Sequence, residues 1–531
     1  MAEMVPVTFV PGGLTAWVHV GATVLEAATT AGILLPAPCG GRGLCGACGV
    51  RIVEGVLGTP DNGERIGLAS APDGIRLACR ASVIAPVRVS VLVHHGSAPE
   101  ISDFITTAFG SLCAGVDLGT TSVAAVLIEA ETGRELARAS VANRQQSLGA
   151  DVLTRVSASL SGQREELMAL AEASVLDALS TAARASGVGL ERIERIVLAG
   201  NSAMTAMLIG RDVSSLSRHP FTPPFGGGPM SHDSAVMRAL AADASTVVLP
   251  PVAGFVGGDA LAAVIGAGMV SATAPILFVD FGTNVEIVLA DRGRLMVASA
   301  AAGPAFEGAG ISCGGPAVDG AVVRVRSRQD GSVSVDVLGG GRPMWFSGSG
   351  LVSAVALLRR LGHISTDGRL TSAGPLRDRF STDASGVVTV SLGTEGGRPS
   401  LSQLDVRTFQ LAKAAVKVGV EAVLGAAGVE PARLADVLLA GAFGSALEVC
   451  DLIELGLLPR SVSDVSRSVG NAALNGAAAI SLDAALLSLA EDTAQGAHHV
   501  DLAGDPEFNS RFLKAMALEP FGSGRGVSAS R

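Results

Sequence analysis

Cys39, Cys45 and Cys48 form a C-x5-C-x2-C run, and Cys79 follows about thirty residues later. The spacing is close to the plant-type 2Fe-2S ligand pattern. The run lies in a Gly-rich loop from Pro38 to Gly49. Such a loop must bring several thiolates onto two irons and turn N–H groups toward the sulfides, and glycine permits the positive φ this needs. A cluster of this kind carries one electron at low potential. A structural zinc site would show two C-x2-C pairs, or one pair with histidines. Disulfides suit a small secreted domain, whereas this chain has 531 residues, seven cysteines and no apolar leader at Met1-Ala2-Glu3. Cys113, Cys313 and Cys450 are scattered and read as small core residues.

A second chemistry follows. Asp117-Leu118-Gly119-Thr120-Thr121 and Asp280-Phe281-Gly282-Thr283-Asn284 each join two apolar runs, about 163 residues apart. A D-x-G-T hairpin offers successive N–H groups and a hydroxyl to phosphate oxygens. Its Asp suits Mg²⁺ held through water. Two such turns facing each other clamp a triphosphate from both sides. Leu438-Leu439-Ala440-Gly441-Ala442-Phe443-Gly444 is a strand entering a Gly-x-x-Gly turn. Alone it is an ordinary strand-to-helix turn; after two phosphate turns it reads as an adenosine motif.

The elements that position these residues are legible. Residues 5–10 and 14–20 flank Pro11-Gly12-Gly13 as a hairpin, and Thr23 caps an Ala-rich helix. Strands around 50–53 and 87–93 complete a β-grasp ferredoxin domain over residues 1–93. Residues 94–112 read as a linker, with His94-His95 facing solvent. Residues 113–272 and 273–531 are then two copies of one αβ subdomain, the second including the C-terminal return. Helical patterns at 164–186, 203–209, 349–361 and 405–427 alternate with strands, so the fold class is α+β plus α/β.

Composition excludes several functions. The net charge of −10, with no Lys/Arg run, argues against nucleic acid and anionic membrane. Tyr is absent and aromatics are 3%, which leaves no base-stacking platform. Asn475 and Asp483 interrupt the Ala-rich stretch from Ala472 to Leu489, so it falls short of the ~20 apolar residues of a membrane span. A soluble, cytoplasmic protein is expected.

The phosphate and adenosine turns resemble the ribonuclease-H-like superfamily of acetate kinases, sugar kinases, heat-shock chaperones and actin. Joined to a plant-type ferredoxin, they resemble one family within it, the reductive activators of corrinoid proteins. Further stretches carry the resemblance: 199–204, 249–259, 299–308, 348–350 and 470–474. It implies an actin-like ATPase with 2Fe-2S, ATP and Mg as cofactors, acting on the corrinoid protein of a methyltransferase system as a homodimer. Cys39, Cys45, Cys48 and Cys79 would hold the cluster. Asp117 and Asp280 would position Mg²⁺ and water. Gly119, Thr120, Thr121, Gly282, Thr283 and Asn284 would bind phosphates, and Gly441, Phe443 and Gly444 would flank adenosine.

Some positions depart from the family pattern. The short linker suggests that a separate middle domain is missing. Val285 stands where Gly is usual, Thr205-Ala206 where histidines are expected, and Gly314-Gly315-Pro316 diverges. Ser299–Cys313, with the single acid Glu307, reads either as a contact surface or nucleotide-sensitive loop, or as a packed turn of the core. Three rivals stand beside corrinoid reduction: an ATP-gated electron donor to a non-corrinoid enzyme, a small-molecule kinase with an appended redox module, and a redox sensor without turnover.

Overall fold

The computed structural model describes residues 4–10, 14–31, 48–61, 64, 75–91, 111–149, 151–230, 234–240, 243–328, 331–393, 398–441 and 447–521. Cys39, Cys45, Phe443, Gly444, the His94-His95 pair and residues 94–110 of the expected linker lie outside them.

The N-terminal unit is one mixed five-stranded sheet in the order Leu14–His19, Met4–Val10, Val83–Val91, Gly49–Leu57, Ile75–Leu77. The first and last strands in sequence, Met4–Val10 and Val83–Val91, run parallel and side by side. Helix Val24–Thr30 starts at a reciprocal cap, where Glu26 N–H donates to Thr23 Oγ1 and Thr23 N–H to Glu26 Oε2. Ala27 and Ala28 of this helix fill a core with Val7, Phe9, Val50 and Val89. This is the β-grasp ferredoxin architecture.

The two following units repeat one topology. In the first, Leu112–Leu118, Ser122–Glu129 and Glu135–Ala142 form an antiparallel meander. Ile193–Gly200 and Ser245–Val248 add in parallel beyond Leu112–Leu118. In the second, Ile276–Asp280, Val285–Asp291 and Arg294–Ala300 form the meander, and Asp436–Ala440 and Ser466–Gly470 add in parallel. A parallel neighbour requires a crossover helix. Arg164–Ser186 and Gln403–Ala427 supply it, each ending at a left-handed glycine, Gly187 and Gly428. The helix ranges read from periodicity coincide with observed helices: Arg164–Ser186, Ser202–Leu208, Gly348–Arg360 and Gln403–Ala427. The Ala-rich stretch is two helices, Ala472–Leu482 and Ala484–Gly496, divided at Asp483, whose carboxylate caps the second by accepting from Ala485 N–H. Among the described residues no helix is long and apolar enough to cross a membrane.

Each unit closes with a helix, Gly258–Gly266 and Ala472–Leu482, and these two helices join the units. Helix Gly258–Gly266 places Ala260 and Val264 against Phe278, Val288 and Val297 of the second sheet. Helix Ala472–Leu482 places Leu474 and Ala478 against Ala124, Val126 and Ile128 of the first. They cross backbone on backbone: a Cβ on Gly476 would fall 1.8 Å from the Ala262 carbonyl oxygen. In an open helix Gly→Ala gains up to ~1 kcal/mol. At position 476 the backbone would have to part, at an overpacking cost of about 1–3 kcal/mol. Gly476→Ala is therefore expected to lower the urea midpoint, while Gly425→Ala, in open space on helix Gln403–Ala427, raises it slightly.

Candidate functional site

Two of the four cluster cysteines are described. Cys48 and Cys79 are buried with their sulfurs 3.2 Å apart. That is far longer than a disulfide bond and close enough for both thiolates to share one iron. Ala78 N–H donates to the Cys48 carbonyl, tying the two segments together. Behind Cys79, strand Ile75–Leu77 is held by Glu64, which is fully buried. Its carboxylate accepts from Arg76 Nε (2.7 Å), Arg76 Nη2 (2.8 Å) and Leu77 N–H (2.9 Å). This bidentate pair fixes the approach of the last cysteine.

The two D-x-G-T turns occupy equivalent places, each at the end of the first strand of its meander. Behind the first, the carbonyls are all engaged: Asn143 Nδ2 donates to Gly119 O (2.8 Å), Arg155 Nη2 to Thr120 O (2.7 Å), and Gln146 Nε2 to Thr121 O. Carbonyls drawn backward leave the opposite side of the loop to its N–H groups, as an anion site requires. Burial lowers the Arg155 guanidinium to about 10, still a cation at neutral pH.

The neighbouring parallel strands end in matching glycines. A Cβ on Gly200 would lie 2.6 Å from Leu118 O, and one on Gly441 2.3 Å from Phe281 O. Leu198-Ala199-Gly200 and Leu439-Ala440-Gly441 are thus one repeated element, and Gly441, at φ +111°, packs against the second turn. Val285 pairs with Ala300 and is fully buried in the core, so its side chain faces away from the turn. Thr205 is buried in helix Ser202–Leu208, where its hydroxyl donates back to the Asn201 carbonyl.

Carboxyl groups gather between the turns. Asp117 and Asp280 end their strands, and Glu286 stands directly across the ladder from Asp280. Asp259 lies in the first turn of helix Gly258–Gly266. Burial pushes Asp117 up to about 6, against a hydrogen bond from Asn471 Nδ2 (2.8 Å). Burial, then the Asp117 charge, takes Asp259 to about 7. Burial, then Asp259, Asp117 and Glu307, takes Asp280 to about 8. Glu286 is raised well above its ordinary value by burial and by Asp259 and Asp280.

Glu307 reaches both turns. It accepts from Thr121 Oγ1 of the first (2.9 Å), and from Thr283 Oγ1 (2.9 Å) and Thr283 N–H (3.2 Å) of the second. The expected residues Asp117, Gly119, Thr120, Thr121, Asp280, Gly282, Thr283 and Asn284 are therefore brought together across one cleft. The stretch 299–313 anchors in the second unit through Ala300, Ala302, Ala305 and the fully buried Phe306, while Ala301, Pro304, Gly310 and Ser312 are exposed and Glu307 reaches the turns.

Residue spacing does not reveal Asp259, Glu286, Asn471, Asn143 or Arg155. One signal was present: Gly258-Asp259-Ala260 and Gly470-Asn471-Ala472 open the two closing helices alike.

These carboxyls keep their protons in the folded chain to a pH at which the unfolded chain, near 4, has lost them. Their contribution to stability is complete below about pH 4 and is lost as pH rises through 6 to 8. Thermal melts without nucleotide or divalent cation should fall from pH 5 to 8.5. Asp280→Asn, neutral throughout, should flatten that fall and melt higher than the parent at pH 8.5.

Comparison with known proteins gives the family. Residues 9–83 match the 2Fe-2S iron-sulfur cluster binding domain, 112–272 the RACo middle region, and 274–523 the C-terminal domain of RACo, the ASKHA domain. The region described as the RACo middle region coincides with the first αβ unit. The corrinoid activation enzyme RamQ of Eubacterium limosum is 30% identical over 410 residues, 75% of this chain and 68% of the relative. The Co(II) methylated amine-specific corrinoid protein reductase of Methanosarcina barkeri is 23% identical over 430 residues, 75% of each chain. The solved structure of a reductive activator for a corrinoid, iron-sulfur protein matches in fold with a TM-score of 0.70 at 23% identity, over 97% of this chain and 98% of that one. The chain belongs to the family of reductive activators of corrinoid proteins.

Proposed function

We propose that this protein uses ATP to pass one electron from its 2Fe-2S cluster to the Co(II) corrinoid of a corrinoid protein, restoring Co(I) for a methyltransferase system. The observation that carries this reading is the pair of equivalent D-x-G-T turns facing each other across one cleft, in a chain that also bears the ferredoxin cysteines. The names of the two relatives, a corrinoid activation enzyme and a Co(II) corrinoid protein reductase, agree with it.

Energetics give ATP its role. A plant-type cluster lies near about −400 mV, and each ~59 mV by which the acceptor is more negative costs about 1.4 kcal/mol. A nucleotide moves that equilibrium by its differential affinity for two states of the protein. In the cleft, Gly119, Thr120, Thr121, Gly282, Thr283 and Asn284 hold phosphates by N–H and hydroxyl donation. Gly441, Phe443 and Gly444, by their strand-to-turn motif, would flank adenosine. Asp117 and Asp280, with Asp259 and Glu286, supply hard oxygen donors suited to Mg²⁺. Among the described residues no three such groups are arranged to hold a metal directly, which fits an ion bound through water and phosphate. When bound, Mg²⁺ would neutralise phosphate charge and draw the protons off these carboxyls. Cys39 and Cys45 complete the cluster ligands with Cys48 and Cys79. A cytoplasmic homodimer completes the reading.

The test is a spectrum. With a chemical reductant, Mg-ATP and a corrinoid protein of a methyltransferase system, Co(I) absorbance should grow, and only with ATP. Asp280→Ala should cut ATP turnover and Co(I) formation by about 10²-fold or more, with the cluster absorbance unchanged. Growth of Co(I) at the same rate without ATP, or a phosphorylated small molecule in place of Co(I), would sink the reading.

A further inference from the structure

Glu307 holds three donors that a phosphate would also need. Its Oε2 takes the Thr121 and Thr283 hydroxyls, one from each turn, and its Oε1 takes the Thr283 N–H. A carboxylate is an acceptor-only group, and so is a phosphate oxygen. Both cannot occupy the same donors, least of all beside Asp117, Asp259 and Asp280. We propose that Glu307 stands in for the terminal phosphate in the nucleotide-free clamp, and that a nucleoside triphosphate displaces it. This rests on reading the two turns as phosphate sites.

The segment that carries Glu307 is packed so that a shift of its acid is felt by its neighbours. Gly303 and Gly308 flank residues 304–307, both at φ +75°, a conformation other residues rarely adopt. Phe306, adjacent to Glu307, is fully buried with edge-on ring contacts to Phe281 of the second turn (5.4 Å) and Phe409 of helix Gln403–Ala427 (6.1 Å). Helix Gly348–Arg360 begins against it: a Cβ on Gly348 would fall 1.6 Å from the Phe306 carbonyl. Farther along, Ser312 N–H and Oγ donate to Asp405, in the first turn of helix Gln403–Ala427 (2.7 and 2.5 Å). Withdrawal of Glu307 from the turns therefore displaces a ring wedged between two elements and pulls on the start of a third. Glu307 is a positioning residue that reports the terminal phosphate to the second unit.

Trp345 offers a built-in probe. A Cβ on Gly315 would lie 2.7 Å from the Trp345 ring, and one on Gly314 2.1 Å from Gly308 O, so the indole lies against the far end of the same segment. Trp17 is the chain's other tryptophan. In full-length Trp17→Phe protein, Mg-ATP should shift the Trp345 emission and Mg-ADP should not. Glu307→Gln in that background should bind Mg-ATP about tenfold more tightly by calorimetry, since a charged competitor for the donors is gone. Its nucleotide-free emission should already lie at the ATP-bound position. Glu307→Asp, too short to span both hydroxyls, should fall between. If Mg-ATP binds the parent, but Glu307→Gln binds it no more tightly and still shows the full shift, the displacement idea is overturned and the nucleotide site stands. If the parent binds no Mg-ATP, both fall together.

Discussion

Four carboxyl groups, Asp117, Asp259, Asp280 and Glu286, share one poorly hydrated cleft, and the ATPase part of the molecule is arranged around their repulsion. Removing an ionised carboxylate from water is costly, and a second one nearby makes it costlier. The fold reduces the cost in two ways. Protons stay on Asp259 and Asp280 into the neutral range, and Asn471, at the start of the second closing helix, donates to Asp117. The halves are kept from parting by the helix crossing at Gly476, where backbone meets backbone and apolar side chains of each helix seat in the other unit's sheet. Dispersion and apolar burial at the crossing thus hold in place an electrostatic arrangement that opposes closure.

That opposition is what makes a nucleotide-dependent machine feasible. A cleft whose charges are already balanced gains little from its ligand, whereas one crowded with acids gains much when cation and phosphate arrive together. The differential affinity available to move an electron uphill therefore resides in the apo state's discomfort as much as in the contacts of the bound state. Cys48 and Cys79 lie outside this balance: the Cys79 segment is fixed by the buried Glu64–Arg76 pair within its own small sheet.

The two kinds of chemistry were legible in the chain because each rests on short-range spacing. C-x5-C-x2-C and D-x-G-T place their atoms within a few residues, and glycine marks the turns. The long helices were legible for a similar reason, since a 3.6-residue apolar period is local. What escaped arrives through long-range geometry. Glu286 reaches the site because strand register sets it opposite Asp280, Asp259 and Asn471 because helix starts point into the cleft, and Arg155 because a helix about 35 residues onward backs the first turn. Gly441 shows the converse: a residue read for adenosine also has a packing reason, because Gly200 makes the same contact in the first unit.

The duplication holds for five strands of each sheet but not for the sixth, nor for the bracing of the turns, and the bracing gives the clamp a direction. The first hairpin pairs Asp117 with Ala124, whereas the second, one residue shorter, pairs Asp280 with Glu286. An acid thus faces the cleft in the second unit where a methyl group stands in the first. The first turn is fixed from behind by Asn143, Gln146 and the cation of Arg155, none of which a ligand must displace. The second has one backbone bond behind it, Gly303 N–H to Thr283 O, and in front Glu307, which takes two donors here against one, Thr121 Oγ1, in the first. A rigid jaw and a responsive jaw follow, and the responsive one is wired through Phe306 and Ser312 to the longest helix of the structure. Conformational change driven by nucleotide is therefore expected to arise in the second unit, while the first, adjoining the ferredoxin end of the chain, serves as the fixed frame.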